Sequence, residues 1–214
     1  MRLPALASLT VVSLVAAGCA TRGGPLEGTA VDTTRPGRAG VVVAAPQGGS
    51  DQGTAVMAAE IARLTGFGLV VATGSEADEG AAYERRVRET ARGPLAFYVE
   101  IQGESRADAA DRIEIATVGV DAEQAQKLRI LLELVRDAHL RARASGLRLA
   151  VRVEPADPVS DAASAKRAGI LRLPQRALRI ELPRVARQEG RELYTLILAD
   201  FLREAITLPL PARR

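Results

Sequence analysis

The chain has 214 residues, 47% of them hydrophobic but only 3% aromatic, with 29 basic residues against 26 acidic ones. A formal excess of only +3, with arginines interleaved among acids and few aromatic side chains, argues against a nucleic-acid partner, which calls for a gathered basic face. One cysteine excludes an intramolecular disulfide, and one histidine excludes a zinc site built on two imidazoles.

Residues 1–18 read as an export signal: Arg2 near the start, an apolar run from Leu3 to Ala17, then small residues before Cys19. That run is too short to span a bilayer. "AAGC" is similar to a bacterial lipobox, in which the cysteine becomes the lipid-bearing first residue of the mature protein. Cys19 is therefore the expected lipidation site and the membrane an expected partner; a plain secretory signal with a chance cysteine stays open. Ala20 stands where an aspartate would argue for inner-membrane retention. The expected location is the cell envelope, lipid-anchored at an outer membrane and facing the periplasm. Residues 19–39 carry glycines and prolines with no apolar period, which predicts a flexible tether. Residues 40–214 are enough for a single domain with a sizeable core.

Within that domain, apolar and β-branched runs predict strands at 41–46, 68–73, 95–102, 112–119, 146–154, 169–173 and 177–182. Helical spacing links most of them. Thr54 is placed to cap a helix whose Val56, Met57, Ile61 and Leu64 share a face and which Gly66 stops. A second helix is predicted over about 80–91, and a third over about 121–144 with Asp121 as cap and Gly146 as terminator. In the third, Leu128, Leu131, Leu132 and Val135 form one apolar stripe. A last helix covers "RELYTLILADFLREAI". Strands alternating with helices predict an α/β class, a three-layer α/β/α domain with a mainly parallel or mixed central sheet of hydrolase-like or phosphorylase-like type.

Three strand ends carry polar residues that a purely structural sheet does not require: Gln47 with Asp51, Gln102, and Glu181. In an open α/β sheet such ends line the ligand-binding rim. Each has an ordinary alternative: Gln47 capping a turn, Asp51 satisfying amides at a helix start, Gln102 bonding nearby backbone, and Glu181 pairing with Arg179, Arg184 or Arg187. His139 falls on the apolar side of the third helix and reads as a core-edge histidine. Ser50 and Ser105 have no evident base beside them. Arg85, Arg86, Arg88 and Arg92 share one helix, either as carboxylate binders or as a solvated face paired with Glu84 and Glu89.

"APQGGSDQGT" resembles the "PHGG", acid and "GT" of the zinc-carboxypeptidase-like amidohydrolases, notably the N-formylglutamate amidohydrolase and poly-gamma-glutamate hydrolase families. "VEIQG" is similar to their "IHG" strand end, and "RIELPRVAR" to their strand with a catalytic glutamate followed by arginines. The three motifs occur in family order over about 40–205. The resemblance implies metal-ligand positions at Gln47, Asp51 and Gln102, a water-activating Glu181, and arginines after it at Arg184 and Arg187; these two, with Arg86 of the arginine-bearing helix, are the candidate carboxylate binders. Glu104 stands where relatives often show asparagine.

Both family histidines are glutamine here. An amide oxygen is a hard, weak donor where zinc prefers imidazole nitrogen, so the pair of replacements predicts loss of zinc. Without zinc no bound water is brought to a pKa of about 7, and Glu181 has no potent nucleophile to activate. The implied protein is an inactive relative with no cofactor that binds a glutamate-like or peptide carboxylate. A working metal-dependent amide hydrolase with an altered site is the alternative, with zinc as its cofactor. A structural envelope lipoprotein is the third.

Overall fold

In the computed structural model, which describes residues 33–73, 76–160, 162 and 169–209, the alternating pattern folds into seven strands and five helices among those residues. In chain order these are β1 (Thr33–Arg35), β2 (Arg38–Ala45), α1 (Thr54–Thr65), β3 (Phe67–Val71), α2 (Glu76–Ala91) and β4 (Phe97–Glu104). There follow β5 (Arg112–Val118), α3 (Ala122–Ala142), β6 (Ala150–Val153), β7 (Arg176–Pro183), α4 (Arg184–Arg187) and α5 (Arg191–Ala205). One sheet takes all seven strands in the order β1-β3-β2-β4-β7-β5-β6. Strands β3, β2, β4 and β7 are parallel neighbours, whereas β5 runs antiparallel to β7 and carries β6 parallel beside it. The sheet is thus mixed, within a three-layer α/β/α domain.

The two faces differ in chemistry. Val41, Val43, Phe97, Val99, Ile101, Ile113, Ile115, Leu178 and Ile180 point to one side and pack under α1, α3 and α5. Each fully buried side chain of this size contributes about 1.5–3 kcal/mol, so this layer supplies most of the driving force. On the other side, Val42, Ala44, Val70 and Tyr98 pack against Tyr83 and Val87 of α2 and against Ile170 and Leu171. Beyond them that face turns polar along β4, β7 and β5, with buried Glu100, Glu104, Glu181, Glu114 and Arg112.

Five sequence expectations require correction. Ordered structure begins before residue 40, because Thr33–Arg35 adds an antiparallel edge to β3 and Arg38 already belongs to β2. Residues 1–32, which hold the expected signal segment, Cys19 and most of the expected tether, lie outside the described residues. Gly53, at φ 91°, holds the N-cap of α1, while the Thr54 hydroxyl donates back to the Asp51 carbonyl at 2.8 Å. Gly146 does not end α3; the chain reverses at Ala144, φ 49°, where the Ser145 N–H reaches the Leu140 carbonyl. Residues 169–173 form no strand, since Ile170–Arg172 make a 3-10 turn that buries Ile170 and Leu171. The strand expected over 146–154 is confined to Ala150–Val153. By contrast, Asp121 caps α3 by accepting from the Gln124 N–H at 2.8 Å, and Gly66 stops α1 in the left-handed conformation.

Candidate functional site

Parity places the site. Along β4 the even residues Tyr98, Glu100, Gln102 and Glu104 share the face opposite Val99 and Ile101, and along β7 Arg179 and Glu181 share that same face. In register, Glu100 stands opposite Arg179 and Gln102 opposite Glu181. Past the end of β2 the chain turns tightly through residues 46–51, with the Ser50 and Asp51 amides both donating to the Gln47 carbonyl. A cavity of about 330 Å³ opens there, lined by Gln47, Gln102, Glu100 and Arg179 together with Tyr83 and Glu84 of α2.

The polar groups of this cavity form a connected chain. The Tyr83 and Tyr98 hydroxyls lie 2.8 Å apart, and Tyr98 donates to Glu100 Oε1 at 3.1 Å. Gln102 Nε2 and Arg179 Nε both donate to Glu100 Oε2, at 3.2 and 3.0 Å. Burial pushes the Glu100 carboxyl above its ordinary value, and the adjacent Arg179 guanidinium and the three hydrogen bonds resist that rise. Burial and the neighbouring Glu100 charge hold the Tyr98 hydroxyl well above its usual range, so it remains a donor.

Beside the cavity lies a carboxylate cluster. Because β5 is antiparallel to β7, Glu114 near its start meets Glu181, and oxygens of Glu104, Glu114 and Glu181 approach within 4.8 Å of one another. Arg106 donates to Glu104 at 2.5 Å and to Glu114 at 3.2 Å, and Arg112 donates to Glu114 at 2.6 Å. Burial raises both carboxyls, but the arginine hydrogen bonds prevail and hold Glu104 and Glu114 below the usual carboxylate value.

The residues singled out from the sequence divide between these regions. Gln47 and Gln102 line the cavity, and Glu181 belongs to the carboxylate cluster. Asp51 is committed elsewhere, its Oδ2 accepting the Gly103 N–H at 2.7 Å and tying the turn to the end of β4. None of the three candidate carboxylate-binding arginines, Arg184 and Arg187 of the motif and Arg86 of α2, lines the cavity. Arg187, 7% exposed, donates to the carbonyls of Leu182, Gln52 and Glu104; Arg184 donates to Gln188; and Arg86 stacks over the Tyr83 ring at 5.8 Å. His139 hydrogen-bonds Asp200 of α5 at 2.8 Å, in the opposite layer.

These donors do not fit zinc. Gln47 and Gln102 offer only amide oxygens, weak donors where zinc prefers imidazole nitrogen, Asp51 has a carboxylate oxygen on Gly103, and the sole histidine lies across the sheet. In the carboxylate cluster, guanidinium groups already supply the compensating charge. Sequence reading missed Glu100 and Glu114, and took Arg179 only as a possible partner of Glu181. The available signal was the period-two alternation in "FYVEIQGE" and "RALRIELP", which sets acids and an arginine on one face of central strands that layers cover on both sides.

No family profile matches the sequence, and no curated protein matches it. Solved structures similar to it in fold include two of amidohydrolase-like type. One is a bacteriophage poly-gamma-glutamate hydrolase, with TM-score 0.52, 13% identity, and coverage of 82% of this chain and 86% of that one. The other is zinc-free YndL, with TM-score 0.50, 14% identity, and coverage of 82% and 90%. At such identity the likeness concerns the fold: this chain has the hydrolase-like α/β/α architecture of these proteins, with a cavity at the rim formed by the ends of β2, β4 and β7.

Proposed function

We propose that this protein is a non-catalytic relative of the zinc amidohydrolases that binds a small carboxylate-bearing ligand. The observation that carries the reading is the presence of neutral amides, Gln47 and Gln102, in the cavity at the positions where the family resemblance expects imidazoles. The fold likeness to a poly-gamma-glutamate hydrolase supports the ligand class, a glutamate-like or peptide carboxylate. The lipobox-like "AAGC" supports anchoring through Cys19 in the cell envelope, at an outer membrane and facing the periplasm. No helix among the described residues is long and apolar enough to cross a membrane.

Retention of Glu181 beside Glu104 and Glu114 favours a second reading, an amide hydrolase with an altered metal site. Zinc content and affinity of the purified protein separate the two, measured beside the double variant Gln47→His, Gln102→His. The first reading expects no bound zinc in the natural protein and a gain in the variant. Tight zinc binding by the natural protein would overturn it and make the hydrolase the better account.

A further inference from the structure

Arg179 stands apart from the other arginines of the polar face. Its Nε is engaged by Glu100, yet among the described residues no acceptor takes the hydrogens of its two terminal nitrogens, and its side chain, 14% exposed, lines the cavity. A guanidinium is a planar fork with five donors, so one edge can hold a protein carboxylate while the other receives a second planar anion through paired hydrogen bonds. The other acid of the lining, Glu84, is already neutralised by Arg88 at 2.8 Å. Gln47 and Gln102 add neutral amide groups, and Pro46 and Ile170 supply apolar wall. At about 330 Å³ the cavity is near the small end of the range for ligand sites, which sets an upper size of roughly one or two amino-acid units.

We infer that Arg179 is the anchor of this cavity, holding through its terminal nitrogens the carboxylate of a small molecule whose neighbouring amide is met by Gln47 and Gln102. The inference rests on the binding role proposed above and names the group that would confer its specificity. Its difference from the sequence expectation is physical: Arg184, Arg187 and Arg86 have their guanidinium groups placed outside the cavity.

The test uses N-acetylglycine and its neutral isostere N-acetylglycinamide, titrated in the millimolar range against the full chain while backbone and side-chain amide resonances are followed. The acid is expected to shift Gln47 and Gln102, and to bind roughly tenfold or more tightly than the amide. Arg179→Gln is expected to lose that advantage. Because this variant leaves Glu100 without its cation, Gln47→Glu serves as the second variant: it sets a carboxylate in the cavity lining without altering the Glu100–Arg179 pair, and is expected to weaken the acid selectively. Equal binding of acid and amide at the cavity would overturn the role of Arg179 and leave a binding cavity intact. No shift by either molecule would overturn both the anchor and the binding role.

Discussion

Replacing Arg187 distinguishes a ligand-binding arginine from a structural clamp. Its guanidinium donates to Leu182 O at 2.9 Å and Gln52 O at 2.7 Å, with a longer approach of 3.4 Å to Glu104 O, and so ties the β2–α1 loop to the ends of β4 and β7. Packing is close enough that a Cβ added at Gly103 would lie 2.7 Å from the Arg187 Cζ. Charged donors contribute about 1.5 kcal/mol or more each, so two well-formed bonds come to about 3 kcal/mol, and the third is too long to add much. Burial of the guanidinium, which lowers its pKa, offsets part of that sum. In Arg187→Met the stranded carbonyls of Leu182 and Gln52 add to the loss by a similar amount. The net expectation is a loss of about 3 kcal/mol in urea unfolding with the slope unchanged, equivalent to a fall of roughly 6–12 °C in Tm for a domain of this size. A loss below about 1 kcal/mol accompanied by weakened ligand binding would refute the clamp and restore Arg187 to the site.

Two further outcomes follow from the structure. Arg106→Ala removes the main counter-charge of Glu104, whose folded pKa lies below the ordinary 4.5, whereas Glu114 retains Arg112. A lowered carboxyl pKa contributes stability that is complete above the unfolded value and fades as pH falls through the folded one. The variant should therefore be less stable by about 1–2 kcal/mol at pH 7, discounted for the 35% exposure of Arg106, and the gap to the natural protein should close below pH 4.5. Glu100, with its raised pKa, acts in the opposite sense but is common to both proteins; a gap that persists unchanged at pH 3 would defeat the argument. The second outcome compares two left-handed glycines. Gly66, at φ 73° with nothing near its missing Cβ, should cost about 1 kcal/mol when replaced by alanine. Gly119→Ala, at φ 69°, would drive a Cβ into the Gln175 carbonyl oxygen and should cost more than twice as much; equal thermal shifts would contradict the steric account.

Much of the scaffold was legible because local signals agreed with the global packing. "VVVAA" is buried on both faces as a central strand should be, Asp121 supplies a side-chain oxygen to a helix start, and the Leu128 and Leu132 stripe meets the core. Misreadings fell where tertiary contacts outrank local preference. "GILRL" has the composition of a strand, yet Ile170 and Leu171 are buried as part of a turn packed against β7. Residues 33–35 look like linker, yet the free edge of β3 offers them backbone partners. The arginines after Glu181 were read as ligand groups by motif, yet their side chains satisfy carbonyls of their own chain.

What the sequence by itself determined is the alternation of strands and helices, the polar strand ends, and the lack of two imidazoles for zinc. These are properties of residue identity and spacing, which no arrangement of the chain can alter. The tertiary structure alone decided which polar groups meet. Antiparallel pairing of β5 with β7 brings Glu114 to Glu181 across 67 positions of sequence, and parallel register of β4 with β7 sets Glu100 against Arg179 across 79. Strand order and direction depend on how the sheet closes its apolar face under α1, α3 and α5. The pairing of charges on the opposite face follows from that closure, a long-range outcome that no short stretch of residues encodes.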